Sequence, residues 1–248
     1  MPASDPTMPR PPAPPGPKAP GSSNEVAAFL DKVARMPAVR AASARPGRLV
    51  FAVDATASRQ PAWDRACALT GEMFIATRDL GGLAVSLAYW RGYLEFAATP
   101  FLTDGVELAR RMSTVTCLGG QTQILRALRF ALAETQQEKV GALVLVGDAV
   151  EEDVDALCQA AGELGLRGTP VFCFHEGGNA VAGNAFRQIA KVSGGAYAPF
   201  DSSAAETLRE LLRAVAVFAA GGRGALARLG GPAAARIAGQ LPAPGQTR

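Results

Sequence analysis

Histidine is almost missing from this chain: His175 is the only one among 248 residues. The four cysteines, Cys67, Cys117, Cys158 and Cys173, include no CxxC spacing. Zinc is therefore disfavoured, because structural zinc sites need a compact Cys/His cluster. Thiols this far apart read as small buried hydrophobes in a reducing compartment. His175 closes the strand-like run Val171 to Phe174 and reads as a surface or loop residue. Aromatics make up only 6%, which leaves Ala, Val and Leu to build the core. An excess of one charge is also lacking. Lys and Arg number 25 against 22 Asp and Glu, a net +3 too balanced to predict nucleic-acid binding. Arg35, Arg40, Arg45, Arg48 and the pair Arg110-Arg111 are scattered in the manner of solvated faces. The start of the chain has neither a basic run nor an apolar stretch, so no secretory signal is evident. The late apolar run from Leu211 to Ala220 is broken by Arg213 and too short for a bilayer core of ~30 Å. It reads as a core-facing helix. A cytoplasmic protein without membrane attachment is expected.

What is present suffices for one domain with tails, since 48% of the residues are hydrophobic. Residues 1–22 hold nine prolines and predict a disordered or polyproline-like tail. In 23–45, Ser23-Asn24-Glu25 precedes Val26, Phe29, Leu30 and Val33 at helical spacing, which predicts a helix and linker. The main domain is assigned to 46–220. Residues 221–248, rich in Gly, Ala and Pro, read as a flexible tail with weak helical stretches at Ala225–Leu229 and Ala233–Ile237. Leu226, Leu229 and Ile237 would be exposed there unless they dock on a partner.

Between Arg48 and Phe200, buried-strand runs alternate with helical ones, the pattern of a doubly wound α/β fold with a mostly parallel sheet and helices on both faces. Strands are predicted at Arg48–Val53, Leu83–Trp90, Tyr93–Ala97, Ala142–Val146, Pro170–Phe174 and Ala196–Phe200. Helices are predicted at Asp104–Met112, Gln123–Gln136, Asp153–Leu164 and Ala204–Phe218. Only Arg91-Gly92 separates the second and third strands, so they form an antiparallel hairpin, because parallel neighbours need a crossover.

The first strand runs into Asp54-Ala55-Thr56-Ala57-Ser58, an acid with two hydroxyls at alternate positions. In open α/β sheets, ligands bind beyond the strands' carboxyl ends. Oxygen donors from one short loop suit Mg²⁺ or Mn²⁺. Gly119-Gly120-Gln121-Thr122 leads into a helix with a hydroxyl, and Leu143 to Gly147 is a second buried run that ends at Asp148. In order and character these segments resemble the von Willebrand factor type A (VWA) family, of the intracellular bacterial type. The likeness spans Arg48 to Ala220, including Phe186 to Ala190 followed by Ser193 to Tyr197. It implies a Rossmann-like fold and a metal-ion-dependent adhesion site (MIDAS) formed by Asp54, Thr56, Ser58, Thr122 and Asp148. Such a site holds Mg²⁺ or Mn²⁺ and takes an Asp or Glu from a partner protein. Intracellular members commonly serve in assemblies with AAA-type ATPases or chaperones. Two positions depart from the commonest pattern: Thr56 stands for Ser, and Ala149 stands for the Gly after the second acid.

Two alternatives accompany this reading. One is a structural VWA domain with a decayed metal site, in which Asp54 and Asp148 only cap helices or loop amides. The other is a phosphatase of the haloacid dehalogenase type, which the chain resembles in Asp54 and in Gly147-Asp148 with Glu152 or Asp153 beyond. That family has a second acid two residues after the first, where this chain has Thr56, and Lys139 is the one candidate for its lysine. No general base or second metal stands out for hydrolysis, so a non-enzymatic protein is expected. Nucleotide binding at Gly119-Gly120 lacks the GxxxxGK[ST] signature. Those glycines read as letting the loop approach the metal, and Glu151, Glu152 and Asp153 as starting the next helix.

Overall fold

The computed structural model describes residues 45–201 and 205–243. Its six strands are β1 (Gly47–Asp54), β2 (Leu83–Arg91), β3 (Glu95–Ala98), β4 (Ala142–Gly147), β5 (Val171–Glu176) and β6 (Tyr197–Phe200). They form one sheet in the order β3-β2-β1-β4-β5-β6. All neighbours are parallel except the β2/β3 hairpin, so the predicted doubly wound α/β fold is the one observed. The helices are α1 (Gln60–Thr77), α2 (Gly105–Ser113), α3 (Ile124–Gln137), α4 (Val154–Leu166), α5 (Ala180–Ser193), α6 (Ala205–Leu229) and α7 (Gly231–Ala238).

The central strands are apolar on both faces because helices cover both. Leu49, Phe51 and Val53 of β1 and Val144 and Val146 of β4 enter one layer with Trp63 and Met73 of α1, Met112 of α2 and Leu211 and Val215 of α6. Val50, Ala52, Leu143 and Leu145 enter the other with Ile124 and Leu128 of α3, Leu157 of α4 and Ile189 of α5. Full burial of each such Leu, Val or Phe contributes about 1.5–3 kcal/mol. Trp63 Nε1 donates to the Met112 carbonyl at 3.0 Å, which fixes α2 against α1. Cys117 and Cys173 are buried, Cys67 and Cys158 half-buried, and all four are free thiols. Burial pushes the Cys67 thiol up to about 12, which keeps it protonated and inert. None of the described helices is long and apolar enough to cross a membrane.

Two expectations are corrected. The hairpin turn is Gly92-Tyr93-Leu94, closed by the pair Arg91 and Glu95, so β3 starts two residues later than predicted. Gly92 (φ 55°) and Leu94 (φ 64°) are both left-handed, which widens the turn beyond two residues. The second correction concerns residues 221–243 of the segment 221–248 read as a flexible tail; residues 244–248 lie outside the described residues. α6 runs on past a bend at Gly222 (φ 65°) and α7 follows. Leu226 and Ile237 are fully buried in the chain's own core, so no partner is needed to cover them. The predicted tail at 1–22 and, save Arg45, the helix and linker at 23–45 lie outside the described residues.

Candidate functional site

Strand order reverses between β1 and β4, whose carboxyl ends leave a crevice between the two loops that follow. β1 delivers Asp54 at its last residue, 1% exposed. The Thr56 amide donates to Asp54 Oδ1 at 2.8 Å, an Asx-type closure that turns the chain out of the strand. Residues 57–59 then make one short helical turn, which places Ser58 across the crevice. Its Oγ donates to Asp148 Oδ2, just beyond β4, at 3.2 Å. Burial pushes the Asp54 carboxyl above its usual range, Thr56 and Arg59 pull it down, and the facing Asp148 carboxylate pushes it up again. Burial outweighs the help from Thr56 and Arg59, so the Asp54 carboxylate is incompletely compensated, and a cation in the crevice would favour its charged form.

Asp54, Thr56, Ser58 and Asp148 are thus linked by direct bonds or facing charges. Thr122 is not joined to them directly. Its amide donates to Glu151 Oε2 at 2.9 Å, and its hydroxyl accepts from the Glu151 amide at 3.1 Å. This reciprocal pair binds the 118–123 loop to the loop after β4. Glu152 reaches the same way, accepting from the amides of Ile124 (2.6 Å) and Leu125 (2.9 Å) at the start of α3. Of the three acids expected to start the following helix, only Asp153 does so, accepting from the Asp155 and Ala156 amides.

Of the two glycines of this loop, Gly120 serves the hairpin, while a Cβ on Gly119 would meet nothing. A Cβ on Gly120 would stand 1.9 Å from the Gly92 carbonyl oxygen, so only glycine admits the hairpin backbone there. The Leu118 carbonyl accepts from Gly92 N, Leu118 N donates to the Ala55 carbonyl, and Ala55 N donates to the Trp90 carbonyl. The loops after β1 and β2 and the 118–123 loop are therefore one bonded unit. Ala149 costs no backbone strain, since Leu94 is the only non-glycine with positive φ among the described residues.

Beneath the crevice lies a pair that the sequence reading missed. Arg59, immediately after Ser58, is ion-paired with Glu176 at the end of β5. The side chains are 3% and 10% exposed. The missed signal was the run Val171 to Glu176, which meets no turn residue before Gly177 and so carries β5 two residues further. The same extension corrects His175: it is buried inside β5, not on a surface or loop. Its Nδ1 lies 3.0 Å from the Tyr197 hydroxyl, and burial pushes the imidazole below its usual range, towards the neutral form.

The donor set is chemically suited to a hard cation: two carboxylates and neutral hydroxyls from loops fixed to one another. Among the described residues, no three His, Cys, Asp or Glu side chains gather closely enough to hold an ion by themselves. Ion binding here would therefore depend on the hydroxyls of Thr56, Ser58 and Thr122.

No family model and no curated protein matches the sequence. Solved structures do match the fold. The VWA domain of SpRpn10 aligns with a TM-score of 0.52 at 10% identity, over 66% of this chain and 95% of that one. The vWF domain of the type V pili tip protein Mfa5 from Porphyromonas gingivalis aligns at 0.54 and 11%, over 70% and 96%. The human COPII-coat protein Sec24c aligns at 0.52 and 13%, over 68% of this chain but 32% of its own. The fold is VWA-like.

Proposed function

We propose that this chain is a non-enzymatic, metal-dependent protein-interaction module of the cytoplasm. Asp54, Thr56, Ser58, Thr122 and Asp148 would hold Mg²⁺ or Mn²⁺ in a MIDAS-type arrangement. The observation that carries this reading is the bond from Ser58 to Asp148 across the β1/β4 crevice, with the buried Asp54 facing the same carboxylate. Asp54 anchors the loop, and the Thr56 amide orients its carboxylate. Ser58 and Asp148 span the crevice from opposite sides, while Glu151 fixes Thr122 to the Asp148 loop. When bound, the ion supplies an open coordination position that attracts a carboxylate. The partner is proposed to be a protein that offers Asp or Glu, in an assembly of the AAA-type ATPase or chaperone class.

A second reading, an interaction domain that works without metal, is favoured by one observation. The Thr122 amide donates to Glu151, and its hydroxyl oxygen gives one of its two lone pairs to the Glu151 amide. Calorimetric titration of Mg²⁺ and Mn²⁺ into the full chain and into Asp148→Asn and Thr122→Ala decides between them. Saturable binding weakened by both substitutions supports the metal site. No heat of binding to the unsubstituted protein supports the metal-free reading.

A further inference from the structure

We propose that the β2/β3 hairpin tip and the exposed face at the start of α3 form a docking surface for a partner segment with an apolar side chain beside an acidic one. This rests on the reading of the site as a protein-interaction surface and names the partner's chemistry.

The tip carries two large hydrophobics that do nothing for the core: Tyr93 is 82% exposed and Leu94 75%. Leu118, on the loop bonded to that tip, is 45% exposed. Elsewhere among the described residues, the exposed large hydrophobics Val106, Leu166, Val181 and Val192 stand at helix ends with ordinary helical backbone. Leu94 is unusual in a second way, since its φ of 64° is a conformation that suits glycine and strains a leucine. The strain lowers stability, and a solvated side chain gives no burial to offset it. Strain retained in this way collects at functional positions.

The tip is also held still. Arg126 donates to the Leu94 carbonyl at 2.7 Å and Gln123 to the Glu95 carbonyl at 3.2 Å. Gly92 is bonded to the Leu118 loop, which is bonded in turn to Ala55, next to Asp54. The apolar tip and the crevice are thus parts of one rigid rim. A pre-positioned surface spends less of its binding energy on ordering side chains and loops.

Charge identifies the rest of the partner segment. Arg126, which lies over Phe96 and donates to the Leu94 carbonyl, and Arg129, three residues further along α3, are exposed, and neither has a carboxylate partner among the described residues. Arg91, by contrast, is already paired with Glu95. Cationic side chains flanking an apolar knob favour an acidic-apolar segment and repel a basic one. Tyr and Arg are also the residue types in which interface energy concentrates.

A random peptide library displayed on phage, panned against the full chain in Mg²⁺, tests this. Enriched peptides are synthesised and their affinities measured by fluorescence anisotropy against the unsubstituted protein, Leu94→Gly, Tyr93→Ser/Leu94→Gly, Arg129→Ser and Asp148→Asn. The expected result is enrichment of an apolar residue beside Asp or Glu, with affinity falling about tenfold or more on the double hairpin variant. The arginine variant should lose several-fold. Leu94→Gly should melt at or above the unsubstituted protein, so its loss of binding is not a loss of fold. Failure to enrich any peptide, or peptides that bind the hairpin variant undiminished, would overturn the proposal. Binding that needs Tyr93 and Leu94 but survives chelator and Asp148→Asn leaves this surface standing and removes the metal reading. Binding that needs the metal but not the tip does the reverse.

Discussion

Asp54 is the residue on which the site's energetics turn. Its folded pKa lies above the unfolded value, mainly through burial, with Thr56 and Arg59 opposing and Asp148 adding to the rise. Between those two values the folded state binds more protons than the unfolded one. Stability contributed by this group therefore falls as pH rises through the window and stays lower above it. Asp54→Asn keeps an oxygen for the Thr56 amide and removes the buried charge. In metal-free buffer at pH 7 the variant should melt higher than the unsubstituted protein, and the two melting curves should converge as pH drops below the ordinary carboxylate range. Adding Mg²⁺ at 100 times its dissociation constant should raise the unsubstituted protein by about 2.7 kcal/mol and leave Asp54→Asn unmoved. A lower melting temperature for metal-free Asp54→Asn would mean that the charge is compensated within the fold. Arg59 differs in kind: its pairing with Glu176 is buried, and Arg59→Ala should lower stability in urea unfolding by removing one partner of that buried pair.

At the scale of elements, the sheet was legible because strands buried on both faces read as continuous apolar runs, as in Leu143 to Val146 and Leu49 to Val53. The placing of the candidate residues was legible as far as it is local, since the Asp54 to Ser58 spacing is set by one loop and Asp148 by the end of one strand. What was not legible is contact between distant loops. Neither the bond of Glu151 to Thr122 nor the Glu152 cap on α3 leaves a trace at the acids' own positions. The same holds for Gly120, whose need for glycine comes from Gly92 on another element. Gly120→Ala places a methyl group 1.9 Å from a carbonyl oxygen, so either the 118–123 loop or the hairpin must move. The fold is expected to survive, because residues 118–123 place no side chain in either apolar layer. Binding of Mg²⁺ and of hairpin-dependent peptides should weaken together, measured by calorimetry and anisotropy on the same preparation. Loss of one with full retention of the other would show that the rim is not a single unit.

For the whole molecule, the end of the described chain completes the fold. A Gly/Ala/Pro-rich composition hides this because small residues pack helices closely with few large side chains. Leu226, Ile237 and Leu241 are the ones that do enter the core. A chain ending at Ala220 loses all three, at about 1.5–3 kcal/mol each for full burial, a sum comparable to the net stability of a typical domain. It should be poorly folded or aggregated, whereas a dispensable tail would leave the melting temperature unchanged. The segment also closes an edge of the sheet. The Ala196 carbonyl accepts from Cys173 of β5, so the next residue, Tyr197, turns its amide and carbonyl outward. The Gln240 side chain takes both, accepting from the Tyr197 amide at 2.8 Å and donating to its carbonyl at 3.0 Å. Two residues on, Pro199 has no N–H to offer, so the outward edge of β6 is blunted twice. Gln240→Ala removes one block and keeps the other. It should leave the melt within about 1 kcal/mol of the unsubstituted protein, since a single exposed hydrogen-bonding side chain contributes little net stability. Gln240→Ala/Pro199→Val opens the whole edge, and sedimentation velocity should then show concentration-dependent self-association that neither single variant shows. A double variant that stays monomeric at high concentration would mean that the side chain of Gln240 positions α7 and does not guard the edge.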